Sequence, residues 1–366
     1  MISSDRVAAL RTRMTEHGVD AVALASPELI YYLTGLDHHG YFAFTLLVVR
    51  RDGELALVTR EMERPTVRAQ LPECRHVTFG DGTDPAVAVA AALAGVPTGG
   101  RIATEDTAMF FPPAVHARAR LALADRRFSD ASPLLRDVMA VKSAEEVELV
   151  RQAAEISDAA LAAGVAQARP GAAEHEVAAA VQHALYAKGG QTPGFVPMIR
   201  PLWMLEQEHV SWGDRKLETG TGLFLELSGC VRRYHAPLSR TVYIGEAPAG
   251  ATTAHAAALA GLHAAAGTLR PGARTGDVYA AWHEAAGVTG PRHHCGYLVG
   301  IGFPPSWVGG GEVLGIRPGG DRIVQAGMTF HLMSWVPGHV VSDTVLVTPD
   351  GAEFLTHTPH ELTVVI

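Results

Sequence analysis

Residues 143–366 pass through two amphipathic helices, a pair of strands, two more helices and a second set of strands, and that order restricts the fold more than any other feature of the chain. Strands that follow one another directly pair antiparallel, and helices grouped between them cover one face of the sheet. The expected result is an α+β domain: an antiparallel-rich sheet with helices packed on its outer face. Ser143 is placed to cap the first helix, with Glu146 three residues on as a capping box, and Val147, Val150, Ala153, Ile156 and Ala160 recur at helical spacing. RPG at 169–171 ends that helix and a second covers about 173–188. Strands are expected over 217–245, helices over roughly 249–268 and 276–286, and strands again in CGYLVGIGF, GMTFHLMSWV and the hairpin VVSDTVLVTPDGAEFLT around Asp350-Gly351.

The first 140 residues alternate instead between the two periods. Val7, Leu10 and Met14 mark a helix over 4–17, AVALAS a buried strand, and PELIYYLTG a helix closed by Gly35. FTLLVVRRDGELALVTR predicts a hairpin turning at Asp52-Gly53. A short helix broken near Pro65, a strand at HVTFG, an Ala-rich helix over 85–94, a strand at RIATED and a helix over 113–124 complete an α/β unit with a mixed sheet. SDASPLLRDVMAVKS reads as the linker, so the domains are taken as 1–140 and 141–366.

Charge and cysteine usage narrow the functional classes. Thirty basic against 38 acidic residues give a net charge of −8 with no Lys/Arg-rich run, which argues against nucleic acid or an anionic membrane as partner. No apolar run is long enough to span a bilayer, and MISSDRVAALRTRM carries charges where a signal peptide needs an apolar stretch. Three cysteines without paired spacing fit a reducing cytoplasm. The Gly-rich stretches GVTG and VGGGEVLG lack the strand-to-helix setting of a phosphate loop and read as turns.

LELSGCVRRYHAPLSRTVYIG, residues 225–245, holds the chemical anomaly. Glu226 sits between Leu225 and Leu227, where a charge is costly unless it is paired or used, and Pro237 follows eleven residues later. Together with KSAEEVELVRQAA, His209 ahead of LETGTGLFLEL, QAGMTFHL and VSDTVLVTPDGAEFLT, this segment resembles the pita-bread superfamily of creatinase, proline dipeptidase, aminopeptidase P and methionine aminopeptidase. The resemblance spans essentially the whole chain. It implies a two-domain α/β protein with a creatinase-type N-terminal domain followed by an α+β pita-bread domain, and a homodimer. Peptidases of this fold hold two metal ions with two Asp, one His and two Glu; the matching positions here are Glu226, Pro237, Tyr297, Met333 and Ser342. One carboxylate cannot hold a dinuclear centre, so no metal and no cofactor are expected.

Within the fold, LELSGCVRRYHAPLSRT, GYLVGIGFPPSW and GMTFHLM are similar to the strands of ectoine hydrolases, which open a small cyclic amidine bearing a carboxylate. A protonated amidine is a delocalised cation with an electrophilic carbon. A buried carboxylate can pair with it, attack it or activate water against it, and Glu226 meets that need. His209 matches the histidine that creatinase uses for proton transfer, and Tyr297 is expected to hydrogen-bond the substrate or Glu226. His331 interrupts TFHLM, Tyr234 stands in the adjacent strand, and Trp203 and Trp212 flank His209 with aromatic faces suited to a planar cation, ordinary packing being an equal expectation for each tryptophan. A substrate carboxylate calls for an arginine fork; Arg200, Arg233, Arg240 and Arg292 are available, with Arg240 also placed to be structural in the Arg-Thr strand. The reading is a metal-independent hydrolase of a cyclic amidine, most closely ectoine or hydroxyectoine. Its rivals are a creatinase-like or secondary-metabolite guanidino or amidine hydrolase, and a metal-free binding scaffold.

Overall fold

The computed structural model describes residues 2–290, 292–308 and 315–366, and two compact units divide the chain at Val138–Met139. In the first, helix α1 (Ser4–Glu16) precedes strand β1 (Ala21–Leu24) and helix α2 (Pro27–Thr34), which Gly35 closes in the left-handed conformation at φ 73°. Strands β2 (Leu46–Arg50) and β3 (Leu55–Arg60) form the expected hairpin. Helix α3 (Arg64–Gln70) contains Pro65 in its first turn, so this proline starts the helix and does not break it; its missing N–H is one the first turn would leave unbonded anyway. Strand β4 (Arg75–Phe79), helix α4 (Pro85–Leu93), strand β5 (Arg101–Thr104) and helix α5 (Pro113–Ala122) follow, then β6 (Arg127–Asp130) and the single turn α6 (Ser132–Leu135). The sheet order is β4-β3-β2-β1-β5-β6, antiparallel within the hairpin and at β1–β2, parallel elsewhere. Strand β6 was not expected, because RFSD is polar and half-exposed and carries no apolar alternation.

The second unit opens on helix α7 (Ala144–Gln167), whose capping box is formed: Ser143 Oγ accepts from the Glu146 N–H and Glu146 accepts from the Ser143 N–H. Helix α8 (Glu174–Ala187) packs beside it, followed by strands β7 (Met198–Pro201), β8 (Gly222–Val231) and β9 (Tyr234–Ile244). Helices α9 (Ala251–Thr268) and α10 (Thr275–Ala286) then precede β10 (Gly296–Leu298), β11 (Thr329–Val336), β12 (His339–Thr348), β13 (Gly351–Phe354) and β14 (Thr363–Val365). The order β10-β11-β12-β9-β8-β7 is antiparallel throughout; β13 adds to β12, and β14 lies parallel to β9. This is the pita-bread arrangement. Two apolar clusters hold the helices to the sheet: Leu223, Leu225, Leu227 and Leu238 against α7 and α8, and Phe330, Leu332, Val341 and Val345 against α9 and α10. Gly229 lets α7 approach closely, since a Cβ there would lie 2.2 Å from the Ala153 carbonyl oxygen.

The segment CGYLVGIGF yields the three-residue β10 and single-residue bridges at Ile301 and Phe303, and the cis Pro304-Pro305 bond follows it. GVTG turns at Gly287, which closes α10 in the left-handed region at φ 61°, and bends at Gly290, whereas all of VGGGEVLG but its two end residues lies outside the described residues. Among the described residues no helix is long and apolar enough to cross a membrane, and the three cysteines are buried and outside any disulfide.

Candidate active site

Strand β8 is buried along nearly its whole length, so its apolar residues hide an alternation that the structure makes plain. Leu223, Leu225 and Leu227 face the helices, and Phe224 and Glu226 therefore face the opposite, concave side. Cross-strand register carries that face outward: Glu226 opposes Ser239, Ser239 opposes Ser342, Ser342 opposes Met333, and Tyr297 opposes His331. Side chains opposed in this way share a face. Pro237 lies on β9 two residues before Ser239 and has no N–H to offer. The β9–β12 ladder is confined to Arg240 and Ser239, and the Thr344 hydroxyl reaches the Pro237 carbonyl instead at 2.7 Å.

A cavity of about 370 Å³ opens on this face, walled by Glu226, Tyr297, Met333 and Trp335 from the strands and by Phe195, Glu208, His209, Arg292, His293 and His294 from the loops. Such a volume suits a small molecule. Glu226 is 5% exposed, and burial pushes its carboxyl up to about 7, against the opposing pull of Arg200 and Arg292 and with the push of Glu208. His331 is fully buried behind the wall, its Nδ1 3.8 Å from Glu226 Oε1 and 2.9 Å from the Tyr297 hydroxyl. Burial drives the imidazole down to about 3, so His331 is neutral at physiological pH. The Tyr297 phenol is raised well above its ordinary value by burial and by the neighbouring Glu226, and stays protonated.

Two cations border the acid. Arg200, on β7, is 1% exposed, donates to the Val210 and Leu205 carbonyls at 3.2 and 3.4 Å, and stacks 4.6 Å over the Phe224 ring; its Nε finds no hydrogen-bond partner among the described residues. Arg292 lies 4.0 Å over Trp335 and donates to Glu208 at 2.9 Å. His209 occupies the left-handed region at φ 59° and stacks on Phe195 at 6.1 Å. Few residues with a Cβ adopt that conformation, and here it turns the ring onto the cavity wall.

Of the residues expected from the sequence, Glu226, His209, Tyr297, Arg200 and Arg292 line the cavity. His331 backs it and does not line it. Tyr234 does not reach it: its hydroxyl is donated to Glu146 at 2.7 Å, tying β9 to the start of α7. Arg240 points to the helix side, where it pairs with Asp343 at 2.9 Å and holds the Thr358 and Pro359 carbonyls, because it is one residue out of phase with Ser239. Trp203 is 71% exposed and off the cavity wall, and Trp212 packs against the α7–α8 cluster. Proximity in sequence to His209 misled there, since only Glu208 and His209 of PLWMLEQEHVSW face the cavity. Glu208, His293, His294 and Trp335 are cavity residues that the sequence reading does not reach; the His-His pair three residues ahead of Tyr297 is the available signal.

Fold and site together define a two-domain α/β-plus-pita-bread protein of the hydrolase class whose concave face carries a single buried acid. Residues 148–349 match metallopeptidase family M24 and residues 6–141 the creatinase/prolidase N-terminal domain, and the chain belongs to family M24. It is 30% identical to an uncharacterized hydrolase/peptidase of Sinorhizobium fredii over 98% of this chain and 96% of that one. It is 27% identical to the ectoine hydrolase of Halomonas elongata over 96% of this chain and 94% of that one. The crystal structure of dipeptidase PepE from Mycobacterium ulcerans superposes with a TM-score of 0.81 at 26% identity, covering 99% of this chain and 97% of that one.

Membership in a metallopeptidase family raises the question of a metal centre, and the residues do not fit one. The five corresponding positions offer one carboxylate, a proline, a phenol, a thioether and a hydroxyl, all on the concave face. Among the described residues no group of three or more His, Cys, Asp or Glu could hold an ion. Hard divalent ions need more oxygen or imidazole donors than this face presents.

Proposed function

We propose that the protein is a metal-independent hydrolase that opens a carbon–nitrogen bond in a small cyclic amidine bearing a carboxylate, ectoine or hydroxyectoine, to give an acetylated diaminobutyrate. The observation that carries this reading is Glu226: a buried carboxyl, held near neutrality, in a cavity of about 370 Å³ where the family's other metal positions have lost their donors. Ionised, it pairs with the amidinium and delivers the attack on its carbon, directly or through a water it deprotonates. Arg200 and Arg292 supply the cationic side of the cavity that a substrate carboxylate requires, and the free Nε of Arg200 is a donor in waiting. His209 moves the proton and Tyr297 fixes the geometry. The 27% identity to an ectoine hydrolase supports the substrate class; the dipeptidase relatives point to peptides, which the donor set disfavours. The proposal includes a cytoplasmic homodimer, whose mass sedimentation would read.

The test is turnover of ectoine and hydroxyectoine by the purified protein, followed by mass spectrometry for the acetylated product, with Glu226→Gln as control. Turnover is expected in the native protein and a loss of about 10³-fold in the variant, the scale of a general base or nucleophile. Equal turnover in both, or none with any cyclic amidine, removes this function. The pH dependence of kcat/KM follows from the same carboxyl: the ionised form is the active one, so activity rises with pH through about 7.

A further inference from the structure

A chain of hydrogen bonds runs from the cavity wall into the sheet. The Trp307 indole N–H donates to the Tyr297 oxygen at 3.1 Å, and His331 Nδ1 lies 2.9 Å from the same oxygen. His331 Nε2 lies 2.6 Å from Ser342 Oγ, and Ser342 Oγ lies 2.7 Å from Ser239 Oγ. Trp307, His331, Ser342 and Ser239 have no exposed surface, and Tyr297 is 8% exposed, its ring forming part of the cavity wall. We propose that Ser342, backed by Ser239, is a positioning residue for Tyr297: acting through His331, it turns the Tyr297 hydroxyl hydrogen into the cavity.

Counting hydrogens leaves two arrangements of this chain, and the acid beside Nδ1 chooses between them. A neutral imidazole carries one N–H and one lone pair. His331 Nδ1 is 3.8 Å from Glu226 Oε1, so a lone pair at Nδ1 would face an acid, whereas an N–H there is attracted to it. The hydrogen therefore belongs on Nδ1, and Nε2 must accept. Ser342 is the partner at Nε2 and has a hydrogen to give; Ser239 then donates to Ser342, whose own hydrogen is committed. At the other end Tyr297 receives the His331 N–H and the Trp307 N–H, which fills both lone pairs of the phenol oxygen. Its own hydrogen is left to the cavity side, toward Glu226 or whatever acceptor lies beside it. No proton is transferred along this chain; the serines fix a tautomer and the tautomer fixes a donor.

The consequence for catalysis rests on the function proposed above: the cavity-facing hydroxyl donates to the oxygen that forms as the amidine carbon is attacked. The orientation itself rests on geometry alone and is tested without substrate. In protein labelled with ¹⁵N at histidine, side-chain nitrogen shifts report which ring nitrogen is protonated, and His331→Asn identifies the resonance. Nδ1 protonated in the native protein is the expected result. Ser342→Ala should move His331 toward the Nε2–H tautomer, and Ser342→Thr, which keeps the hydroxyl, should retain the native shifts. Nε2 protonated in the native protein, or native shifts in Ser342→Ala, overturns the proposal. With an active substrate, Ser342→Ala and Tyr297→Phe should each lower kcat about 10-fold with KM held within about 2-fold, and the double variant should be no worse than Tyr297→Phe. A confirmed tautomer with no amidine turnover removes the substrate reading and leaves the positioning role; additive losses in the double variant remove the coupling to Tyr297.

Discussion

Glu226 is the residue at which stability and function pull apart. Its folded-state pKa stands at about 7 against an ordinary value of 4.5, because burial outweighs the help of Arg200 and Arg292. The native state therefore binds a proton more tightly than the unfolded chain between these two values, and stability falls as pH rises across that window. Above pH 7 the full penalty is present, about 3 kcal/mol by linkage. Glu226→Gln should accordingly raise the unfolding free energy from urea titration by that order at pH 8, and by little at pH 4, while lowering turnover about 10³-fold. A variant no more stable at pH 8 than the native protein contradicts the buried, destabilised acid. Arg240 makes the opposite case. Its pair with Asp343 is buried on both sides, so Arg240→Met removes the guanidinium and leaves the Asp343 carboxylate only His360 Nε2 and the Thr356 hydroxyl, each at 2.7 Å; it should cost about 3 kcal/mol in urea titration, with ligand affinity of the surviving folded protein unchanged.

Among the elements, β8 shows how the orientation of the cavity acid is set by packing on the strand's reverse face. Leu223, Leu225 and Leu227 are pinned under α7 and α8, and a slip of one residue would exchange them with Phe224 and Glu226. Gly229 keeps α7 close enough to do the pinning. Gly229→Ala drives a methyl into the Ala153 carbonyl and the Ile156 side chain, and is expected to cost about 1–3 kcal/mol, seen as a lower melting temperature. Ser143→Ala removes the α7 cap and should cost about 1 kcal/mol. Since α7 also receives the Tyr234 hydroxyl at Glu146, this helix start ties the beginning of β9 to the capping box.

At the scale of the molecule, the second unit repeats one plan twice: α7, α8 and then β7, β8, β9; α9, α10 and then β10, β11, β12. The concave face lies where the two sets meet, through β9 and β12, and family members that hold metal would place their ligands there. Here that face carries a carboxylate, hydroxyls and a neutral imidazole. Turnover is expected to survive exhaustive dialysis against a chelator, and elemental analysis to find far less than one divalent ion per chain. Loss of activity on chelation with recovery on adding metal would defeat the metal-free reading.

Much of this was legible in the chain. Helix periodicity, the Ser143–Glu146 box, the Asp52-Gly53 and Asp350-Gly351 turns and an acid out of place at residue 226 are local signals, written within a few residues of one another, and each stands in the structure where the sequence put it. The order of elements in the second unit is readable, but no repeat of residues marks its twofold plan, because backbone geometry repeats while side chains do not. The facing of His331, Arg240 and Tyr234 was equally hidden. In strands buried on both sides no polar alternation marks which face is which, so one residue of phase, decided by contacts with helices far away in sequence, sends Arg240 to Asp343 and Ser239 to the site. Local pattern determined what the elements are; only their packing decided which side chains meet.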